Sequence, residues 1–135
     1  MNDRQITPQA TVTEEVFQSP QFRLVPLHVA HNIRPRRYRP LPEGSLERLH
    51  NGSYIKVLAA HAGDIGTREE IWLIIRHLSP LRNIGKHIGE VVYPAKPGTQ
   101  DPAPMAKWHG LDRGMLIYFQ MADVIDMQLR RVDTP

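Results

Sequence analysis

The sequence predicts a small α+β domain: a strongly bent antiparallel β-sheet of about four to six strands with one or two short helices. Two observations lead to this fold class. Segments 53–58, 69–75, 86–93 and 114–119 have the length and the alternating or continuous apolar pattern of β-strands. Glycine-containing turns separate these segments, and the 135 residues fit one domain with a core of moderate size.

The composition excludes several kinds of site. The chain has no cysteine, so it forms no disulfide and offers no thiolate to a metal or to nucleophilic catalysis. Residues 1–20 contain no apolar stretch typical of a signal peptide, and the longest apolar run, Ile71 to Ile75, is far too short to span a membrane. We therefore expect a soluble, cytoplasmic protein without membrane contact.

The N-terminal residues 1–20 are predicted to form a flexible tail, because they are polar and show no sustained period. Residues 21–135 then form the single α+β domain. Its first element is predicted to be an edge strand at 21–27, since Pro26 cannot donate a ladder hydrogen bond and does not fit a central position.

The sharpest charge feature of the chain lies at residues 34–39, where four arginines surround a tyrosine. The prolines at positions 35, 40 and 42 block a regular helix and favour an extended backbone in this region. A short helix at 45–50 is predicted to follow, with Ser45 as its N-cap and Asn51-Gly52 as its stop.

The sheet is predicted to begin after this helix. Residues 53–59 alternate, which is typical of a half-buried strand, whereas 69–77 is apolar on both faces and belongs in the middle of the sheet. Residues 61–67, with two glycines, form the loop of a hairpin. In the next strand, 86–93, the interior Gly89 indicates a bulge or a close approach of two backbones.

The remaining segments are less regular. Residues 94–104 are rich in proline and predict a surface loop, and 105–109 predict one helical turn. A turn at 110–114 leads into a strand at 115–120. Residues 121–131 fit either a closing strand or a short helix, and their spacing does not decide between the two.

Several of these segments occur together in an order that resembles the YegJ-like bacterial domain family, a family of unknown function. The resemblance covers about residues 50–127 and rests on five pieces. They are Gly52-x-Tyr54-Ile55-Lys56-Val57, Glu69-Glu70-Ile71-Trp72-Leu73, Gly85-x-x-x-Gly89-Glu90-Val91, His109-Gly110-Leu111-x-x-Gly114, and Ile117-x-Phe119 with Asp123-Val124-Ile125-Asp126.

The resemblance implies a small α+β domain whose duty is interaction rather than chemistry, since members can lie near toxin, immunity and mobile-element genes. The chain departs from the family pattern at two places. Tyr93-Pro94-Ala95 replaces an Asn-Asp-Pro segment, and Gly114-Met115 replaces a Gly-Asp pair. If those polar groups bind a partner in the family, this chain lacks that contact.

The arginine-rich segment is the first candidate binding site. Thirteen of the 17 basic residues are arginines, whose planar fork fits carboxylates and phosphates. Three interpretations remain open: the segment holds a phosphate backbone while its tyrosine stacks on a base, it clamps acidic residues of a protein partner, or it covers an acidic edge of its own domain. The candidate residues are Arg34, Arg36, Arg37, Tyr38 and Arg39.

Trp108 is the second candidate. It lies in a polar, proline-bounded region, where an exposed tryptophan would serve as an interface anchor. The alternative is that it packs over the open end of the sheet. Trp72, in the most apolar segment, is predicted to be core.

The sequence predicts neither a metal site nor a catalytic one. The seven histidines are scattered, without ligand spacing, and we expect them at the surface or at strand edges. Adjacent Glu69 and Glu70 point to opposite faces of a strand and cannot form a catalytic pair by themselves. Asp123 and Asp126 are expected to end the sheet. Phosphate-loop, dinucleotide and nucleophile-elbow motifs are missing, so no cofactor is expected.

The functional prediction is a non-enzymatic protein-binding module of bacterial or mobile-element origin, such as an inhibitor, immunity or accessory factor. The alternative is a nucleic-acid-binding protein that uses Arg34 to Arg39. Pairing of two copies through an edge strand is a further option, because an unpaired edge offers free backbone groups.

Overall fold

A computed structural model describes residues 15–93 and 107–128. Within these ranges the chain forms one strongly curled antiparallel sheet with a single α-helix, which confirms the predicted α+β class. The strands are β1 (Phe22–Leu24), β2 (Tyr54–His61), β3 (Asp64–His77), β4 (His87–Tyr93), β5 (Leu116–Phe119) and β6 (Val124–Gln128). The helix is α1 (Leu27–Ile33), and two 3-10 turns span Leu46–Arg48 and Met121–Asp123.

The strand order explains the curl. Strands β1 to β5 follow one another in the sheet, while β6 returns to pair with β2 on the side away from β3. Strands β5 and β6 are joined only by residues 120–123, and a 3-10 turn advances by about 2 Å per residue. The edge formed by β5 must therefore bend round toward β2. The backbone N–H of Gln120 donates to the Asp123 carboxylate at 2.8 Å and fixes this connection.

The sheet buries both of its faces. Successive residues of β2 point to opposite sides, so Val57 belongs to the core inside the curl and Leu58 to a second core on the outer face. Helix α1 covers the outer face. The inner core includes Ile55, Val57, Ile71, Leu73, Ile117 and Phe119, and the outer core consists of Val25, Ala30, Tyr38, Leu58, Ala60 and Ile125. As predicted, β3 is central and Trp72 is buried.

The structure corrects the predicted N-terminal boundary. Residues 15–20 were predicted to belong to a flexible tail, but Val16 forms a bridge to Leu116 and Phe17 packs against the inner core. Phe17 also stacks on Phe22, with ring centroids 6.3 Å apart. This segment therefore lies along the outer edge of β5. Residues 1–14 lie outside the described part.

Helix α1 was not predicted. The prolines near it argued against helix, yet Pro26 occupies the N-cap, where a missing N–H costs nothing. The predicted edge strand at 21–27 is correspondingly shorter, and Pro26 lies after it. Strand β1 lies at an edge of the sheet, as predicted.

The segment after α1 also differs from the prediction. Residues 34–38 form a turn rather than an extended run, because the carbonyl of Arg34 accepts from the N–H groups of both Arg37 and Tyr38. The predicted helix at 45–50 is a 3-10 turn. Ser45 is its N-cap residue, as predicted, but the Ser45 side chain makes no capping hydrogen bond. Its hydroxyl donates instead to the carbonyl of Pro42 at 2.6 Å.

The later boundaries were partly predicted. The loop at 61–67 is only a tight turn at 62–63, since β3 begins at Asp64. The ambiguous segment 121–131 contains both alternatives in succession, a 3-10 turn and then β6. Loop 94–104 lies outside the described residues.

The bulge that Gly89 predicted lies opposite it, in β3, and the close approach to Gly89 is that of a side chain rather than of a second backbone. The pairing of β3 with β4 is irregular between Ile75 and His77, opposite Gly89 and Ile88. In addition, a Cβ at Gly89 would lie 3.0 Å from Cδ1 of the fully buried Leu73. An alanine at this position would therefore require Leu73 to shift by a few tenths of an ångström.

We expect Gly89→Ala to lower the free energy of unfolding by about 1 kcal/mol or more, because Leu73 must shift in a filled core. Urea denaturation measures this. Gly63→Ala is the control: its Cβ would meet only His61 at 3.5 Å, in an exposed turn, and should change stability by about 0.5 kcal/mol or less. Equal losses in the two variants would contradict the close approach.

Candidate binding surface

The arginine-rich turn, residues 34–39, is called the basic loop below. It begins where α1 ends and lies over the outer face of β3, opposite the inner core. Its position follows from local folding, because the backbone hydrogen bonds from Arg37 and Tyr38 to the carbonyl of Arg34 close the turn. The two residues at the end of this turn then face Glu70 of β3.

Glu70 anchors the basic loop. Nε and Nη2 of Arg37 donate to the two carboxylate oxygens at 2.9 and 2.6 Å, and the hydroxyl of Tyr38 donates at 2.7 Å. Nζ of Lys56 completes the set at 3.1 Å and lies 5.1 Å from the ring centroid of Trp72. The bidentate pair between Arg37 and Glu70 fixes the orientation of the guanidinium group as well as its distance from the carboxylate.

The electrostatics of the anchor follow from these contacts. Burial alone raises the pKa of the Glu70 carboxyl, but the hydrogen bonds from Arg37, Tyr38 and Lys56 outweigh it and hold the pKa at about 2. The hydrogen bond that Arg37 donates to Glu70 is in turn the main cause of a raised pKa of Arg37. Burial, followed by the hydrogen bond to Glu70, raises the pKa of Tyr38. The anchor is therefore ionised across the neutral range.

Two of the predicted binding residues thus have an internal role. Tyr38 is only 5% exposed and packs in the outer core, so its ring is not available for the base stacking that the nucleic-acid interpretation assigned to it. Arg37 pairs with the domain's own carboxylate, which matches the interpretation in which the segment covers an acidic edge.

The other three arginines of the basic loop point outward. Arg34, Arg36 and Arg39 are exposed, and none of their side chains pairs with a carboxylate of the described residues. The loop therefore presents three guanidinium groups on a turn that Glu70 holds in place.

Trp108 lies elsewhere. It is half-buried against the inner core, with its ring centroid 4.6 Å from that of His109 and 5.8 Å from that of His61. This is the alternative in which the tryptophan packs over the sheet, so the expectation of an exposed anchor is wrong. Glu69 and Glu70 point to opposite faces of β3, and the two faces separate Trp108 from the basic loop.

Two histidines predicted at the surface are fully buried. His109 receives the N–H of Leu111 on Nδ1 at 3.0 Å, so Nε2 carries the proton and donates to Glu69 at 2.6 Å. His87 likewise receives the N–H of Ser79 on Nδ1 and donates from Nε2 to the carbonyl of Arg82. Each ring fastens a connecting loop to the sheet. In the ranges 15–93 and 107–128, no group of three or more metal-binding side chains comes together.

An apolar groove of about 580 Å³ lies beside the basic loop and was not predicted. It runs between α1, residues 40–47 and the 3-10 turn that leads into β6. The sequence signal was the helical spacing of Leu27, Ala30 and Ile33 after Pro26, which the neighbouring prolines obscured. Since α1 forms one wall of the groove, the groove could not be predicted without the helix.

Comparisons with protein-family models, with curated proteins and with solved structures find no significant match to the chain. The resemblance to the YegJ-like family therefore stays a prediction. None of the helices in the described part is long and apolar enough to cross a membrane.

Proposed function

We propose that this protein is a non-enzymatic, cytoplasmic binding module that holds an acidic surface of a protein partner with Arg34, Arg36 and Arg39. The anchored basic loop carries the proposal. The planar guanidinium group of arginine fits a carboxylate, and three such groups lie exposed on one short turn.

Anchoring makes such a loop an effective binding element. A free loop would lose conformational entropy when a partner orders it, and that loss weakens association. Here the contacts of Arg37 and Tyr38 with Glu70 have already fixed the turn. Much of the ordering that binding would otherwise require is therefore part of folding.

A protein partner fits this surface better than single-stranded nucleic acid. Binding of single strands combines phosphate contacts with stacking of bases on aromatic rings. The aromatic residue of the basic loop is buried, so the loop offers charge without a stacking platform. Carboxylates of an acidic protein surface require only the guanidinium groups.

The test is capture of partners from a lysate of the source organism, followed by measurement of the Kd with each purified partner. We expect a triple variant, Arg34→Glu, Arg36→Glu and Arg39→Glu, to bind about 100-fold more weakly, since each change replaces attraction by repulsion. A matched variant with the same net charge carries Arg23→Glu, Arg48→Glu and Lys107→Glu. These three residues are also exposed, and this variant should bind nearly as tightly as the wild type.

Three outcomes would overturn the proposal. The two charge-reversed variants could weaken binding equally, which would mean that net charge alone matters. Capture could depend on nuclease-sensitive material, with salt-dependent binding to random DNA or RNA probes, which would favour the nucleic-acid alternative. Finally, a well-folded wild-type protein could capture no specific partner.

A further inference from the structure

The apolar groove has the size and lining of a binding site. Its volume of about 580 Å³ lies in the range of ligand pockets. Aliphatic side chains from three separate elements form its surface. They are Leu27 of α1, Leu41 and Leu46 of the connecting segment, and Met121 and Ala122 of the 3-10 turn before β6 together with Val124, the first residue of β6.

Two carboxylates lie at the rim of the groove. Glu43 and Glu47 both line it and are exposed, and neither side chain has a hydrogen-bond or ion-pair partner among the described residues. No arginine or lysine lines the groove. An occupant with an apolar body and a positive charge therefore matches the groove, whereas an anionic occupant does not.

The walls of the groove are held in place by the fold. The guanidinium group of Arg82 donates to the carbonyls of Leu46, Glu47 and Leu49, which fixes the turn that carries one rim. On the opposite wall, the Nδ1 of His31 donates to the carbonyl of Tyr38 at 2.8 Å and ties α1 to the anchored basic loop. These hydrogen bonds fix the positions of both walls.

The groove and the basic loop form one continuous surface. Asn32 of α1 and Pro40 both line the groove, and they flank the basic loop on either side in the chain. A partner that reaches Arg34, Arg36 or Arg39 therefore comes close to the groove as well.

We infer that the groove receives a peptide segment of the protein partner in which an aliphatic side chain is next to a lysine or arginine. The aliphatic side chain fills the apolar floor, and the basic side chain pairs with Glu43 or Glu47. This inference rests on the proposed function, since the partner is the one that the basic loop holds. It adds that the partner's surface is dipolar: acidic toward the basic loop and basic toward the groove.

The experiment uses three short peptides that differ only in their last residue, which is positive, neutral or negative: acetyl-Leu-Leu-Lys-amide and its analogues with Gln or Glu in place of Lys. Binding is followed by NMR through the methyl signals of Leu27, Leu41 and Met121. We expect the lysine peptide to shift these signals and to bind several-fold more tightly than the glutamine peptide, with the glutamate peptide weakest. In a Glu43→Gln, Glu47→Gln double variant, the lysine and glutamine peptides should bind equally.

A steric variant tests the location. Ala122 is exposed and lines the groove, so Ala122→Trp should fill it and remove peptide binding without disturbing the core. Ala62→Trp, in the exposed turn between β2 and β3, is the matched control and should leave binding unchanged. Equal effects of the two tryptophans would overturn the inference.

Other occupants would give different results, each of which overturns this inference. If 4-methylpentylamine shifts the groove methyls but none of the peptides does, the groove is a small-molecule site. If the methyl signals move with protein concentration alone, a second copy occupies it. If the glutamate peptide binds as well as the lysine peptide, or if no probe binds, charge complementarity fails.

The same variants separate this inference from the proposed function. A partner that is lost on reversal of Arg34, Arg36 and Arg39 but retained by Ala122→Trp would contradict the groove and leave the basic loop intact. Lysine-peptide binding that survives the triple reversal, with no partner sensitive to that reversal, would contradict the proposed function and leave a groove selective for basic peptides.

Discussion

His109→Ala is expected to lower the free energy of unfolding by about 3 kcal/mol. The imidazole is completely buried, so its removal leaves a cavity. The N–H of Leu111 and the carboxylate of Glu69 also lose the contacts that the two ring nitrogens supply. Urea denaturation measures the loss, and the change in packing around Trp108, which touches the ring edge-on, should alter tryptophan fluorescence.

Two further variants identify the cause of this loss. His109→Asn places a carbonyl oxygen where it can accept from the N–H two residues on, but cannot reach Glu69, so we expect an intermediate loss. His77→Ala removes an exposed histidine of the same sheet and should cost about 0.5 kcal/mol or less. If His109→Ala costs no more than His77→Ala, the buried ring does not hold the loop on the sheet.

Glu70→Ala is expected to lower the free energy of unfolding by about 2 kcal/mol, because Arg37, Tyr38 and Lys56 all lose their shared acceptor. Arg37 is half exposed, and solvent screening keeps the effect below that of a fully buried pair. Glu90→Ala is the matched control, because it breaks the pair of Arg76 with a carboxylate that is more exposed than Glu70, and it should cost well under about 1 kcal/mol.

The pH dependence of stability gives Glu70 a second signature. Its pKa is about 2 in the folded protein, against an ordinary value of 4.5, so the unfolded chain binds the proton more readily. The stabilisation is complete above about pH 5 and is lost as the pH falls toward 2. Glu70→Gln cannot ionise, so the stability difference between wild type and this variant should shrink over that window. A stability difference that stays constant with pH would contradict the role of the ionised Glu70 carboxylate in holding the basic loop.

The sheet was largely predictable from the sequence, because its strands carry their pattern locally. Alternation in β2 and the doubly apolar β3 depend on residues within a few positions of each other. Helix α1 was not predictable in this way. It is short, and packing of Ala30 against the outer face of the sheet stabilises it more than any local preference does.

In the candidate site, too, features that depend on the local sequence could be predicted, and features that depend on distant contacts could not. The exposure of Arg34, Arg36 and Arg39 could be predicted from the charge pattern. The burial of Tyr38 could not, since its partner Glu70 is distant in sequence and only the fold brings the two together. The burial of His87 and His109 could not be predicted for a related reason. Their partners are mostly backbone groups of connecting loops, and a backbone group is the same whatever the residue type.

The return of β6 to β2 has a consequence for how the chain acquires its shape. Tyr54 pairs with Gln128, so the contacts that complete the sheet join residues far apart in sequence, and such contacts slow folding. Until β6 has been synthesised and has docked, the corresponding edge of β2 remains open to other chains. Truncation before Val124 should therefore yield a species that aggregates, even though every residue of the basic loop is present.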